Sequence, residues 1–190
     1  MDEKYYAHWS EDGRKQTVLA HLLCTAMLCA QFAEKFGEKA LGYWAGLLHD
    51  IGKFTQAFQK RLFCGGKKVD HSTAGAWESK AYLPISLCIM GHHSGLPDLG
   101  GRTDKGKPTY FGRMNKAKSG QLEPYDAWKQ EVELPQAPKM EPKTELELDF
   151  LIRMLYSCLT DADFLDTEAF MSNGQVERGG GEAISVLSDK

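Results

Sequence analysis

Six histidines occur among the 190 residues, and five of them (His21, His49, His71, His92 and His93) stand at the ends or on the faces of apolar stretches. Two are followed at once by a second donor: Asp50 follows His49, and His93 follows His92. A single histidine in such a place is ordinarily a satisfied core or surface side chain. Five together, beside carboxylates, are costly to bury unless they are paired or hold a metal ion. Imidazole with carboxylate suits manganese, nickel, cobalt, iron or zinc. An all-carboxylate set would have pointed to magnesium or calcium; magnesium is kept as a further candidate here. Adjacent residues on a helix diverge by about 100°, so His49 and Asp50 can reach two neighbouring centres. The two oxygens of Asp50 can bridge two cations. Further on, "DAD" offers Asp161 and Asp163 on different faces of an apolar helix, where an unpaired acid would be expensive. Lys53 follows Asp50 by three residues, and its plain role is that of a solvated lysine at a helix C-terminus. Ser94, just after the paired histidines, is either a cap or a hydrogen-bond partner for phosphate or water. With Asp50 and Lys53 it completes the candidate catalytic set. His8, within "YAHWS", is read as a packing or hydrogen-bonding partner beside Trp9.

These donors need helices to hold them, and the apolar spacing supplies helices. Val18, Leu22, Cys29 and Phe32 mark one side of a helix over about 15–36, with Gly37 as its stop. A second helix covers about 39–51, and Gly52 marks its end or a kink. Phe54, Phe58 and Leu62 recur four apart and predict a third. Asp70 or Ser72 caps a helix running to about Leu83, and Pro84 suits the first turn of the next. The last strong helix spans about 144–166 and opens on an acidic turn that complements its dipole. No convincing run of alternating β-branched residues occurs, so the expected class is all-α. Between Gly95 and Lys143 the periodicity breaks. Residues 101–119 carry six basic residues against one acid, and residues 121–149 carry eight acids against three lysines. A long irregular insertion is expected over about 95–143, chiefly solvated. The alternative is a basic loop that tracks a DNA backbone, with Tyr110 and Phe111 stacking on bases. "GRTDKGKP" falls short of a phosphate-binding loop, because Pro108 stands where a Ser or Thr is needed and no strand precedes it.

The composition narrows the field. A hydrophobic fraction of 42% supports a real core, and a net charge of −3 does not announce a nucleic-acid binder, so any such contact must be local. The five cysteines form no C-x-x-C pair and read as reduced thiols of a cytoplasmic protein. The longest apolar run, from Thr17 to Ala30, is too short to span a bilayer, and no membrane partner is expected.

The segments "YYAHWS", "LLHDIGKFTQAFQKRL", "DHSTAGA", "GHHSGLPD" and "LYSCLTDADFLDTE", in that order, resemble the HD superfamily of metal-dependent phosphohydrolases. Among its branches, the similarity is greatest to the HD nuclease domain of the type I CRISPR-associated helicase–nuclease. It covers about residues 5–170. The resemblance implies a helical bundle with one or two divalent metals between its helices, and hydrolysis of phosphodiester bonds in single-stranded DNA. It implies that His21, His49, Asp50 and Asp163 hold one metal, and that Asp50, His71, His92 and His93 hold or share the second. The superfamily's closing "A-D" pattern favours Asp163, leaving Asp161 as a partner for an N–H or a histidine. The "HD-x-x-K" pattern implies that Lys53 meets the scissile phosphate. Residues 1–171 would form the nuclease domain and 172–190 a tail or linker toward a helicase, present in cis or in trans. The further partner implied is a CRISPR surveillance complex. "HDIGK" and the paired histidines also fit an HD phosphohydrolase acting on nucleotides or cyclic dinucleotides.

Overall fold

The computed structural model describes residues 4–141 and 144–175. A short antiparallel hairpin comes first, with β1 (Tyr6–Trp9) paired to β2 (Lys15–Thr17). Among the described residues eight α-helices follow: α1 (Val18–Ala33), α2 (Lys39–Leu48), α3 (Gln56–Cys64), α4 (Ser72–Glu78), α5 (Leu83–Gly91), α6 (Tyr110–Lys118), α7 (Trp128–Glu131) and α8 (Glu145–Met171). The all-α expectation holds, with one amendment. Residues 15–17, read as the first turn of helix 15–36, instead extend to pair with β1. Thr17 ends the strand and caps α1, its side chain accepting from the Ala20 N–H.

Helix α1 lies in the middle, packed against α2 and α8, while α5 packs on α4 and α8. The α1–α2 contact is unusually close because α2 presents glycine toward it. A Cβ built on Gly46 would lie 2.5 Å from the Ala26 Cα, and one on Gly42 would lie 2.6 Å from the Cys29 carbonyl oxygen. Backbone therefore rests on backbone, and the C-terminal end of α2 is drawn in beside His21 of α1. Gly46→Ala is expected to destabilise the fold by about 1–3 kcal/mol, since neither contact can yield by rotating a side chain. Urea unfolding checks this, and an unchanged midpoint would contradict it.

Helix α2 stops at Leu48, short of the expected 51. His49 keeps helical backbone angles, Asp50 leaves them, and Ile51–Phe54 form a 3₁₀ turn. Gly52 lets that turn lie directly against the backbone of His71: a Cβ there would sit 2.1 Å from the His71 carbonyl oxygen. Asp70 is the cap of α4, accepting from the Thr73 N–H at 3.2 Å and the Thr73 hydroxyl at 2.7 Å. Helix α8 opens with a capping box between Thr144 and Glu147 and runs on to Met171.

The segment 95–143 is more ordered than its composition suggests. It contains α6 and α7, and Tyr110, Met114, Trp128 and Val132 are buried anchors. Tyr110 is turned inward, its hydroxyl 3.1 Å from Ser86 Oγ, so it is not placed to stack on bases. Arg113 is not a free DNA contact either. Its guanidinium donates to Asp70, Ser72, Thr73 and the Met90 carbonyl, tying α6 to the start of α4 and the end of α5. Charge and glycine hid these anchors from a periodicity argument.

All five cysteines are free thiols, with Cys29, Cys88 and Cys158 buried. No helix among the described residues is long and apolar enough to cross a membrane. Most of the expected tail, residues 176–190, lies outside the described residues.

Candidate metal centre

Four backbone elements converge on one buried spot. His21 comes from the first half of α1, His49 and Asp50 from the end of α2, His71 from the residue before α4, and His92 and His93 from the end of α5. Asp163 joins them from α8. His21, His49 and Asp50 have no exposed surface, while His71 and His92 are 6% and 7% exposed.

Asp50 divides this cluster into two donor groups. Its Oδ2 lies 3.2 Å from His21 Nε2 and 3.3 Å from His49 Nε2. Asp163 Oδ1 closes that group, 3.3 Å from His21 Nε2 and 3.6 Å from His49 Nε2. On the other side, Asp50 Oδ1 lies 3.4 Å from both His71 Nε2 and His92 Nε2, and His93 Nε2 lies 2.9 Å from His71 Nε2. In each group of four the donor atoms lie within 4.8 Å of one another. A cation about 2.1 Å from each of its donors sets neighbouring donors about 3.0–3.4 Å apart, which is the spacing seen here.

The outer nitrogens explain the orientation. His49 Nδ1 donates to the Gly46 carbonyl at 2.7 Å, His92 Nδ1 to the Ile89 carbonyl at 2.7 Å, and His71 Nδ1 to the Val69 carbonyl at 3.0 Å. His21 Nδ1 donates to Asp166 Oδ2 at 2.6 Å. With these four Nδ1 protons committed outward, the Nε2 atoms of His21, His49, His71 and His92 face the centre, where each can offer a lone pair to a metal, as metal-ligating histidines do. Two of these, His21 Nε2 and His49 Nε2, face each other at 3.2 Å. Lone pairs at that distance repel unless a proton or a cation lies between them. Asp50 Oδ1 and His92 Nε2 are buried without a hydrogen-bond partner, an arrangement that is expensive unless an ion completes it. The residues therefore fit a divalent metal.

Electrostatics separates the two groups. Burial pushes the His49 pKa down, but the charges and hydrogen bonds of Asp50 and Asp163 outweigh it and raise the value to about 10. Burial and the Lys53 ammonium lower that of His21, and bonds to Asp163, Asp166 and Asp50 reverse this into a net rise. Burial works against the ionised form of Asp50, yet Lys53, His49 and His71 hold its pKa well below the usual carboxylate range. His71 goes the other way, lowered to about 4 by burial against the opposing charge of Asp50. A metal entering the His21–His49 group must therefore displace the proton of His49, whereas His71 is already neutral. Between pH 6.5 and about 10, folded metal-free protein holds a proton on His49 that the unfolded chain has lost. That proton contributes stability fully present below 6.5 and lost as pH rises through 10. Metal binding is expected to release it, so apparent affinity rises by up to about tenfold per pH unit in this window. Calorimetric titration in two buffers of different ionisation enthalpy checks this; heats independent of buffer would contradict it.

Residues 18–119, more than half of the chain, match the family model described as HD domain. The chain belongs to the HD domain family. A comparison with curated proteins returns no match. HD domains bind divalent metals, and membership makes this chain a metal-dependent hydrolase of the phosphohydrolase type. The matched span runs from the start of α1 to the end of α6, so five histidines and Asp50 fall within it. Asp163 is supplied from outside it by α8.

Every expected ligand of the HD domain reaches the cluster, and Asp163 rather than Asp161 does so. Asp161 is exposed; the acid that orients a histidine is Asp166, three residues past Asp163. Its signal was present in the sequence: Leu151, Leu155, Cys158, Leu159, Ala162 and Asp166 form one buried stripe of α8, and only the last is charged. Lys53 is not a solvated lysine. It is 4% exposed, with Nζ 2.6 Å from Asp50 Oδ2. Ser94 is exposed in the turn after α5, where its backbone N–H donates to the Gly91 carbonyl. Among the described residues its side chain makes no hydrogen bond to the ligand set. His8 is more than a neighbour of Trp9. It lines the cleft over the cluster with Lys53, His92, His93, Asp163 and Phe164.

Proposed function

We propose that this HD domain is a two-metal phosphodiesterase that cleaves single-stranded DNA, as the nuclease part of a type I CRISPR helicase–nuclease acting in antiviral defence in the cytoplasm. The observation that carries the reading is the division of Asp50 between two complete donor groups, one oxygen to each. When bound, paired cations stabilise the attacking and leaving oxygens of an in-line displacement and make hydroxide available near neutral pH. The donor chemistry favours manganese, nickel, cobalt, iron or zinc over magnesium.

The chain's own residues supply the rest. Asp50 keeps both groups in register, and the outward Nδ1 bonds keep the imidazoles from turning. Lys53, the cation at the floor of the cleft, is placed to meet the negative charge that grows on a scissile phosphate. Phe164 stands on the cleft rim, 63% exposed, one residue from Asp163. An exposed aromatic ring beside a phosphate-cleaving centre suits stacking on an unpaired base. A helicase, in cis or in trans, and a surveillance complex would deliver the unwound strand.

Incubation of circular single-stranded DNA with the protein and manganese, nickel or cobalt, beside an EDTA control, tests the reading. Metal-dependent linearisation is expected. Intact circles, with cleavage confined to nucleotides or cyclic dinucleotides, would replace it with a small-molecule phosphohydrolase.

A further inference from the structure

A closed ring of polar contacts runs through His21 and Asp50 of the first donor group, and Gln16 is the member whose amide cannot be turned over. The hairpin register sets Gln16 opposite His8. Gln16 Nε2 donates to Asp166 Oδ2 at 2.8 Å, and the same oxygen accepts from His21 Nδ1 at 2.6 Å. Gln16 Oε1 lies 2.8 Å from His8 Nδ1. His8 Nε2 lies 3.4 Å from Lys53 Nζ, which in turn bonds to Asp50 Oδ2, 3.2 Å from His21 Nε2.

Each link forces the next. A carboxylate only accepts, so the amide must present its NH₂ to Asp166 and its carbonyl to His8. A carbonyl only accepts, so His8 must carry its proton on Nδ1. The lone pair of His8 Nε2 is then directed at Lys53, whose ammonium only donates. The buried ammonium thus has two acceptors, Asp50 Oδ2 and His8 Nε2. A cation taking Asp50 Oδ2 removes the first and leaves the second, which lies on the wall of the cleft.

We propose that Gln16 is a positioning residue: by fixing the tautomer of His8 it gives Lys53 an acceptor in the cleft and holds the ammonium where a substrate phosphate arrives. Through Asp166 the same amide steadies His21. The part played by Lys53 toward phosphate rests on the phosphodiesterase reading above, whereas the tautomer of His8 does not.

Two measurements on the full chain test this. Long-range ¹H–¹⁵N correlation of histidine-labelled, metal-free protein near neutral pH reads the tautomer directly. Wild type is expected to show His8 with its proton on Nδ1, and Gln16→Leu to lose that preference. A proton on Nε2 in wild type, or a tautomer unchanged in Gln16→Leu, would overturn the proposal. The second measurement is hydrolysis of bis(p-nitrophenyl) phosphate with manganese. Gln16→Leu and His8→Leu are each expected to lower kcat by about 10–100-fold, the usual scale for an outer partner of a metal site. In His8→Gln an amide oxygen can again accept from Lys53, so most of the loss in His8→Leu should be recovered. Equal losses in His8→Gln and His8→Leu, or a lowered melting temperature with kcat unchanged, would reduce the ring to a structural role and overturn the proposal. Wild type that hydrolyses no phosphodiester would count against the phosphodiesterase reading, while the tautomer would still decide the case of Gln16.

Discussion

Replacing Asp50 is expected to abolish hydrolysis, by roughly a thousandfold or more, well beyond the ~10–100-fold typical of an outer partner. Asp50 is the one side chain common to both donor groups, so its loss costs each of them a carboxylate. Two variants separate chemistry from folding. Asp50→Ala leaves the Lys53 ammonium buried without its nearest counter-charge, and breaking such a pair costs about 3–5 kcal/mol. Metal-free Asp50→Ala is therefore expected to unfold at clearly lower urea. Asp50→Asn spares most of that cost. Its amide oxygen can still accept from Lys53, and its NH₂ faces Nε2 of His71 and His92, both 3.4 Å from Asp50 Oδ1 in wild type. Asp50→Asn should keep its fold and lose its activity. Retained hydrolysis in that variant would end the metal mechanism.

Lys53→Met is expected to move metal binding and catalysis in opposite directions. The Lys53 ammonium sits 2.6 Å from Asp50 Oδ2, the oxygen that belongs to the His21–His49 group. It competes there with an incoming cation. Two unit charges about 4 Å apart repel by about 4 kcal/mol at an effective dielectric of about 20, and relief of a third of that tightens binding roughly tenfold. Hydrolysis should meanwhile fall by about 10²–10³-fold through loss of a donor to the developing charge. Methionine keeps a stem of similar length beside Phe58, whose ring centre is 5.6 Å from the ammonium. Calorimetry and steady-state kinetics on one preparation read both effects. Weaker metal binding together with weaker hydrolysis would make Lys53 a support of the site rather than a partner of the substrate.

The donors were legible in the sequence because histidine on an apolar helix is conspicuous, and doubling with Asp50 and His93 marks helix ends that face one place. Helices α1–α5 and α8 were legible from spacing alone, apart from boundaries set by tertiary contact, whereas α6 and α7 were not. Residues 15–17 became a strand because β1 pairs with them, and α2 ended early because Asp50 turns out of the helix toward the donors. What stayed hidden was held by partners far away in sequence. Arg113 looks like a phosphate contact within a basic stretch, and only its bonds to Asp70 and Met90 show it as a tie between α4 and α5. Gln16 carries no signal of its own until the hairpin places it between His8 and Asp166. Asp166 could have been found as the lone charge in the buried stripe of α8. Ser94 was singled out by adjacency to His93, and adjacency past a helix end says little about direction.

The most direct test of the account is a count of metal ions held by the purified full chain, titrated with manganese and measured by calorimetry and elemental analysis, beside Asp50→Asn. The shared carboxylate predicts two ions per wild-type chain and weakened binding at both sites in a variant that remains folded. Two ions bound with undiminished affinity by Asp50→Asn, or none by wild type, would contradict it.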